Sequence, residues 1–255
     1  MVYFMADSHL GSLLFENREE HTSRMCRWLQ SVAHDASAIY LLGDVFDFWF
    51  EFAHSIPPGY EPLLETIRSL TSRGIEVHFF VGNHDQWTFG YLTSHTGMVV
   101  HYGAEVVEIC GKRMLLAHGH GIGEKRRATR LLNSIFESRI ARWCFRHLVI
   151  PRLGLKFGYH WSARNRQKHD AHYQSNTIDY YASHSTDANV FQVQWAKEYT
   201  VTHPDVKYIV MGHYHNEINM MLPTNAQLLI LEAFYRNGSY ATIDENGLSV
   251  YFFEG

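Results

Sequence analysis

The sequence predicts an α/β fold, and three observations carry that expectation. Short apolar runs of strand length alternate with stretches of helical spacing up to about Tyr102. Each run ends in a small polar block rich in Asp, His and Gly. Beyond Tyr102 hairpin signals take over, interrupted by a long segment with few strand signals.

The elements follow in order. Val2 to Ala6, Ala38 to Leu42, Ile75 to Val81 and Met114 to Ala117 are apolar runs of strand length. Between them, Glu19 to Ala33 places Met25, Trp28, Leu29 and Val32 on one helical face, and Pro62 to Leu70 does the same with Leu63, Leu64, Ile67 and Leu70. This alternation predicts a largely parallel first sheet, whose functional groups belong at the carboxyl ends of its strands. Glu105 to Ile109 and Arg113 to Ala117, joined around Gly111-Lys112, read as a hairpin. Leu228 to Glu232, Tyr240 to Ile243 and Leu248 to Phe253, with Asn246-Gly247 as a turn, are expected to join that hairpin in a second, mostly antiparallel sheet. Glu124 to about Thr200 carries amphipathic helical stretches, including Leu131 to Phe145 and Ala188 to Tyr199, and is expected to form a cap. The division is then a core of residues 1–120 and 201–255 with a helical insertion of residues 121–200.

With 255 residues, 46% of them hydrophobic, the chain can bury a substantial core. Its three cysteines, Cys26, Cys110 and Cys144, are widely spaced and form no CxxC pair, so neither a disulfide framework nor a thiolate zinc site is expected, and a reducing cytoplasm fits. Met1 to Ala6 leaves no room for a secretory leader before the first block, and no charge-free run is long enough to span a bilayer.

The formal charge of -4 is unevenly spread. Lys125 to Lys168 holds 12 of the 22 Lys and Arg against a single acid, Glu137, so this segment carries +11 and the remainder -15. A charge run is ordinarily a solvated face, but here almost no acid balances it. Its cations alternate with Trp143, Phe145, Leu148, Ile150, Leu153, Phe157 and Trp161, a composition that suits anionic headgroups or phosphates beside apolar groups. No nucleic-acid module accompanies it, and the rest of the chain is acidic, so nucleic acid is not an expected partner.

Five blocks carry the chemistry: Asp7-Ser8-His9, Gly43-Asp44-Val45-Phe46-Asp47, Gly82-Asn83-His84-Asp85, His118-Gly119-His120 and Gly212-His213-Tyr214-His215. Each alone has an ordinary reading: a chance Asp-x-His, an Asp or Asn turn, a hydrogen-bonded core histidine. All five occupy equivalent strand ends and offer only oxygen and nitrogen donors, which suits divalent Mn, Fe or Zn and points to a two-metal phosphoesterase centre. Asp47 and Asp85 read equally as acceptors for ligand imidazoles or as helix N-caps.

The ordered set Asp7-x-His9, Gly43-Asp44-x-x-Asp47, Gly82-Asn83-His84-Asp85, His118 and Gly212-His213-x-His215 resembles the calcineurin-like metallophosphoesterase superfamily. The resemblance implies a four-layer αββα sandwich with a helical cap insertion. It implies that Asp7, His9, Asp44 and His215 hold one ion, that Asp44, Asn83, His118 and His213 hold the other, and that both are divalent, with Mn expected before Fe or Zn. His84 is then the non-ligand imidazole that binds the scissile phosphoryl group or assists the leaving group, with Asp85 orienting it; Asn83 and His213 also contact substrate.

Within the superfamily, Gly43 to Trp49, Val81 to Asp85, Tyr159 to Arg164 and the helical insertion resemble the UDP-2,3-diacylglucosamine diphosphatases of lipid A biosynthesis. That resemblance implies an amphipathic lipid-linked sugar nucleotide as substrate and a cytoplasmic enzyme in peripheral contact with the inner membrane. Arg164, Arg166 and Lys168 are the cap cations expected at phosphate or ribose. His120 and Glu232-Ala233 depart from the pattern.

Overall fold

A computed structural model describes residues 1–123, 131, 134–136, 138–164 and 190–255. Two sheets lie face to face. The first runs β11-β10-β1-β2-β3-β4, with β1 (Val2–Met5), β2 (Ala38–Leu41), β3 (Glu76–Phe80) and β4 (Val99–His101) parallel, and β10 (Ser239–Asp244) and β11 (Gly247–Phe252) added antiparallel at the β1 edge. The second runs β5-β6-β7-β9-β8, from β5 (Glu105–Ile109), β6 (Lys112–Ala117), β7 (Tyr208–Met211), β8 (Ile218–Met221) and β9 (Gln227–Ile230).

Period-two alternation builds the layers. On β1, Tyr3 and Met5 face α1 (Arg18–Val32) and α2 (Glu61–Ser72), packing against Met25, Trp28, Leu29, Leu63 and Ile67. Val2, Phe4 and Ala6 point the other way and meet Met114, Leu116, Val210 and Leu229 of the second sheet. That sheet's outer residues, Leu115, Ile209, Met211, Leu228 and Ile230, are covered by Val193 and Ala196 of a later helix, Phe191–Thr202. Helix, sheet, sheet and helix give the expected αββα order. Both early helices begin as their sequence signals require: Asn17 accepts the amide of Glu20 ahead of α1, and Pro62 occupies the first turn of α2.

Two expectations need correction. The hairpin β10–β11 belongs to the first sheet, since β10 pairs with β1 (Phe4 opposite Ala241). The second sheet is not mostly antiparallel: β6 with β7 and β7 with β9 are parallel, β5 with β6 and β8 with β9 antiparallel. Ala241 and Ile243 fill the inter-sheet space from the first sheet's side, so the apolar pattern is satisfied in either sheet and does not specify which.

The cap segment sits on an aromatic cluster. After the short α3 (Tyr91–Thr96), α4 (Arg139–Leu148) begins where Ser138 accepts the amide of Ala141, which interrupts the helical stretch read as continuous from Leu131 to Phe145. Phe145 packs on Phe50, Phe52 and Trp87, and the Trp87 indole donates to the Phe136 carbonyl at 2.8 Å. Residues 151–164 are helical and cross the Phe48 ring at Gly158, where a β-carbon would come within 2.5 Å of it. The Phe191–Thr202 helix, α5, was expected in the cap and instead supplies the sandwich's fourth layer. The short α6 (Phe234–Asn237) leads into β10. Among the described residues, no helix is long and apolar enough to cross a membrane.

Candidate metal centre

Ligand-type side chains converge where the carboxyl ends of β1, β2, β3, β6 and β7 meet. Asp7 and His9 follow β1, Asp44 follows β2, Asn83 and His84 follow β3, His118 follows β6, and His213 and His215 follow β7. Asp7 Oδ1 lies 3.3 Å from His215 Nε2 and 3.7 Å from His9 Nε2, and those two nitrogens are 3.1 Å apart. Asp44 Oδ2 lies 3.8 Å from His9 Nε2 and 3.3 Å from His118 Nε2. Asn83 Oδ1 is 3.3 Å from the same His118 nitrogen. Among the described residues three groups of donors lie close enough together to hold an ion: Asp7, His9, Asp44 and His215; Asp44, His118 and His213; and His9, Asp47 and His84. Asp44 belongs to the first two.

The arrangement fits a pair of divalent cations. Asp7, His9 and Asp44 are buried, and buried carboxylates persist only when paired or coordinating. Asp7 Oδ1 is buried without a hydrogen-bond partner, although it faces two imidazole nitrogens. The set offers carboxylate, amide oxygen and imidazole, and no sulfur.

The backbone is bent to aim these groups. Asp7, His9, Asp44, His213 and His215 all have positive φ, between 47° and 71°, and make up five of the seven described non-glycine residues that do. Left-handed backbone costs a non-glycine residue of the order of 1 kcal/mol, and such strain collects at functional sites. In three of the five blocks a glycine precedes the ligand-type residue and makes room for a side chain from another strand. A β-carbon at Gly43 would lie 2.5 Å from the His118 ring, one at Gly212 2.5 Å from Asp7 Oδ2, and one at Gly82 would overlap the Asp44 carboxylate.

Hydrogen bonds set the remaining orientations. His118 Nδ1–H donates to the Leu42 carbonyl at 2.8 Å, which turns Nε2 toward Asp44 and Asn83. Asp44 Oδ1 accepts the His84 amide at 2.9 Å and Asp7 Oδ2 the His213 amide at 2.8 Å, so one oxygen of each carboxylate is held while the other faces the imidazoles. Asp47 resolves as a carboxylate partner: its Oδ1 lies 3.5 Å from His9 Nδ1 and accepts the Ser162 hydroxyl at 2.8 Å.

The charges are strongly coupled. Burial would raise the Asp44 carboxyl, but His118, His84 and His9 together hold it well below the usual carboxylate range. Burial likewise opposes protonation of His118, and the charge of Asp44 outweighs it, raising the imidazole to about 10. His213 is pushed well below its usual range and His120 to about 4, by burial first and then by His118.

The expected role of Asp85 is corrected. Its carboxylate accepts the amides of Gly82 at 2.7 Å and Phe46 at 3.3 Å, and none of its hydrogen bonds is to the His84 ring. It fastens the β3 loop to the β2 loop, and burial, then the charge of Asp44, raises it to about 7. His84 is oriented by other groups: its Nδ1–H faces the Asp47 carbonyl at 2.8 Å and Ser162 Oγ at 3.1 Å, leaving Nε2 3.9 Å from Asp44 Oδ2. Ser162 was not among the candidates, because a serine in a helical stretch carries no local signal of the tertiary contact it makes.

An aromatic slot of 90 Å³ adjoins the centre, walled by Phe48, Trp87, Phe136, Phe157 and Trp161, with Asn83 and His84 also lining it. Arg164 is exposed and lines neither this slot nor the larger cavity beside His118. Arg166 and Lys168 lie outside the described residues.

Comparison with known proteins decides the family. Residues 1–217 match the family model described as calcineurin-like phosphoesterase. The chain belongs to this family. As a member it is a metal-dependent phosphoester hydrolase. It is 34% identical over 246 residues to a UDP-2,3-diacylglucosamine hydrolase of Porphyromonas gingivalis, covering 95% of this chain and 94% of that protein. A UDP-2,3-diacylglucosamine hydrolase of Histophilus somni is 26% identical over 250 residues, covering 96% and 97%. Among solved structures, a dimetal phosphatase from Danio rerio shares the family's fold with a TM-score of 0.50 at 12% identity, over 98% of this chain and 95% of that one.

Proposed function

We propose that this chain hydrolyses the pyrophosphate bond of UDP-2,3-diacylglucosamine, giving UMP and 2,3-diacylglucosamine 1-phosphate. The observation that carries the reading is a junction: Asn83 and His84, which face Asp44 and His118, also line an aromatic slot. A phosphoryl group at the centre therefore has an apolar wall beside it, as an acylated sugar phosphate requires. Two relatives named for this hydrolysis match the chain over nearly its whole length.

In this reading Asp7, His9, Asp44 and His215 hold one divalent ion and Asp44, Asn83, His118 and His213 the other, with Mn²⁺ as the metal. The ions supply a water-derived nucleophile at neutral pH and positive charge for the phosphate oxygens. Asn83 and His213 add neutral donors, so the centre keeps a net attraction for phosphate. His84, its ring held through Nδ1 by the Asp47 carbonyl and Ser162, turns Nε2 toward the phosphoryl group, where the imidazolium form would donate to a phosphoryl oxygen. The products form when water adds to one phosphorus and the bridging oxygen leaves on the other.

The cap's outer face is assigned to an anionic membrane surface, on the cytoplasmic side where the lipid-linked substrate resides. Ile140, Trp143, Leu148, Ile150 and Leu153 are all more than half exposed, interleaved with Arg139, Arg146 and Arg152. The test is purified protein with Mn²⁺ and UDP-2,3-diacylglucosamine, reading UMP. Stoichiometric UMP is expected. Hydrolysis of a chromogenic phosphodiester with no UMP from the lipid would contradict the substrate.

A further inference from the structure

A second cavity adjoins the metal centre. It measures 580 Å³ and shares two features with the site already described: His118 forms part of its wall, and Gln86 lines both this cavity and the aromatic slot. Around it stand Tyr102, His120, Arg139 and Arg142. We propose that it is a nucleoside 5′-phosphate site that receives the nucleotide end of the substrate; the proposal rests on the diphosphate reading given above.

Size is the first argument. The cavity falls within the roughly 300–1,000 Å³ range of small-molecule sites. The 90 Å³ slot does not, and its mostly aromatic walls offer the hydroxyls of a ribose few hydrogen-bond partners. The two spaces differ in the way the two ends of the substrate differ.

Charge and hydrogen bonding are the second. Two guanidinium groups line the cavity, and no carboxylate does among the described residues. Arg142 is held in place, with Nη2 donating to the Thr88 carbonyl at 2.9 Å and Cζ 4.9 Å from the centroid of the Phe89 ring and 6.0 Å from that of Tyr102. A held guanidinium loses little entropy on meeting an anion. Gln86 supplies an amide with both donor and acceptor, as the edge of a pyrimidine needs, and Tyr102 an aromatic face.

Unmet hydrogen bonding is the third. His120 Nδ1 and Arg142 Nε are buried without a partner. A buried polar group left unpaired costs about 1–3 kcal/mol, so two of them around one cavity mark a place that a polar ligand completes. The His120 ring lies 5.4 Å from that of His118 and 6.3 Å from that of His213, so the cavity opens directly beside the candidate metal centre.

The test is calorimetric titration of the Mn²⁺-loaded full chain with UMP, ribose 5-phosphate and inorganic phosphate, alongside UMP release from UDP-2,3-diacylglucosamine. UMP should bind at least about tenfold more tightly than inorganic phosphate. Arg139→Glu, at an exposed position, should weaken UMP about tenfold or more, and His120→Ala should do so with metal content unchanged. Phe157→Ala, in the slot, should leave UMP affinity within about twofold. UMP affinity unchanged in both Arg139→Glu and His120→Ala, in a protein that still turns over the lipid, overturns the cavity assignment and leaves the substrate standing. UMP binding that depends on those residues, in a protein releasing none from the lipid, keeps the cavity and overturns the substrate. Equal affinity for phosphate and UMP would also overturn the nucleoside site.

Discussion

In the sandwich, Phe4, Trp28 and Trp49 are almost wholly enclosed, whereas in α4 not one side chain is buried and Ile140 and Leu148 are 76% and 71% exposed. Both regions are rich in large apolar residues, so composition does not separate them. The sandwich has an enclosed core that supports strained backbone at five of the converging positions, while the described part of the cap helix Arg139–Leu148 buries none of its side chains. In the proposed function the closed region holds the chemistry and the open one meets the lipid, and Ser162 of the helical residues 151–164 links the two by its contacts with Asp47 and His84.

The largest expected effect breaks the closed region at its shared ligand. Asp44→Ala should lower turnover about a thousandfold or more and remove both ions, read by steady-state kinetics and metal analysis. Gly82→Ala should come next, because its new methyl overlaps the Asp44 carboxylate; a loss of about 1–3 kcal/mol in thermal stability with weakened metal binding is expected. Ser162→Ala tests the link between regions: kcat should fall about tenfold with metal content intact, and loss of metal instead would place Ser162 in the ligand shell. Ile140→Ser with Leu148→Ser should leave unfolding within about 0.5 kcal/mol and reduce binding to anionic vesicles.

A pH dependence sharpens the same contrast. In the metal-free protein His118, raised to about 10 by Asp44, is protonated at neutral pH. Coordination needs that nitrogen free, so metal binding at pH 7 should release about one proton from this residue, and affinity should rise as pH rises toward 10. Without metal, the His118–Asp44 attraction stabilises the fold fully below the unfolded imidazole value of about 6.5 and is lost as pH climbs through 10. Metal-free protein should therefore lose stability between pH 7 and 10, and a flat profile would argue against the pair.

The convergence of the five blocks was legible because each lies directly beyond an apolar run, and strand ends are where parallel sheets gather their sites. Asp7, Asp44 and His118 needed only that local order. What local order cannot report is which sheet a strand joins: Ala241 and Ile243 alternate correctly in either, and only pairing of β10 with β1 decides. Asp85 was misread for a related reason. The family resemblance implied that it orients His84, but its carboxylate turns to backbone amides across the loop. Ser162 was hidden because its partners lie 115 and 78 residues away.

The central claim is a pair of cations sharing Asp44, and anomalous diffraction from crystals grown with Mn²⁺ tests it most directly. The account predicts two peaks per chain, both within coordinating distance of the Asp44 carboxylate. A single peak, or two that do not share that residue, would contradict it.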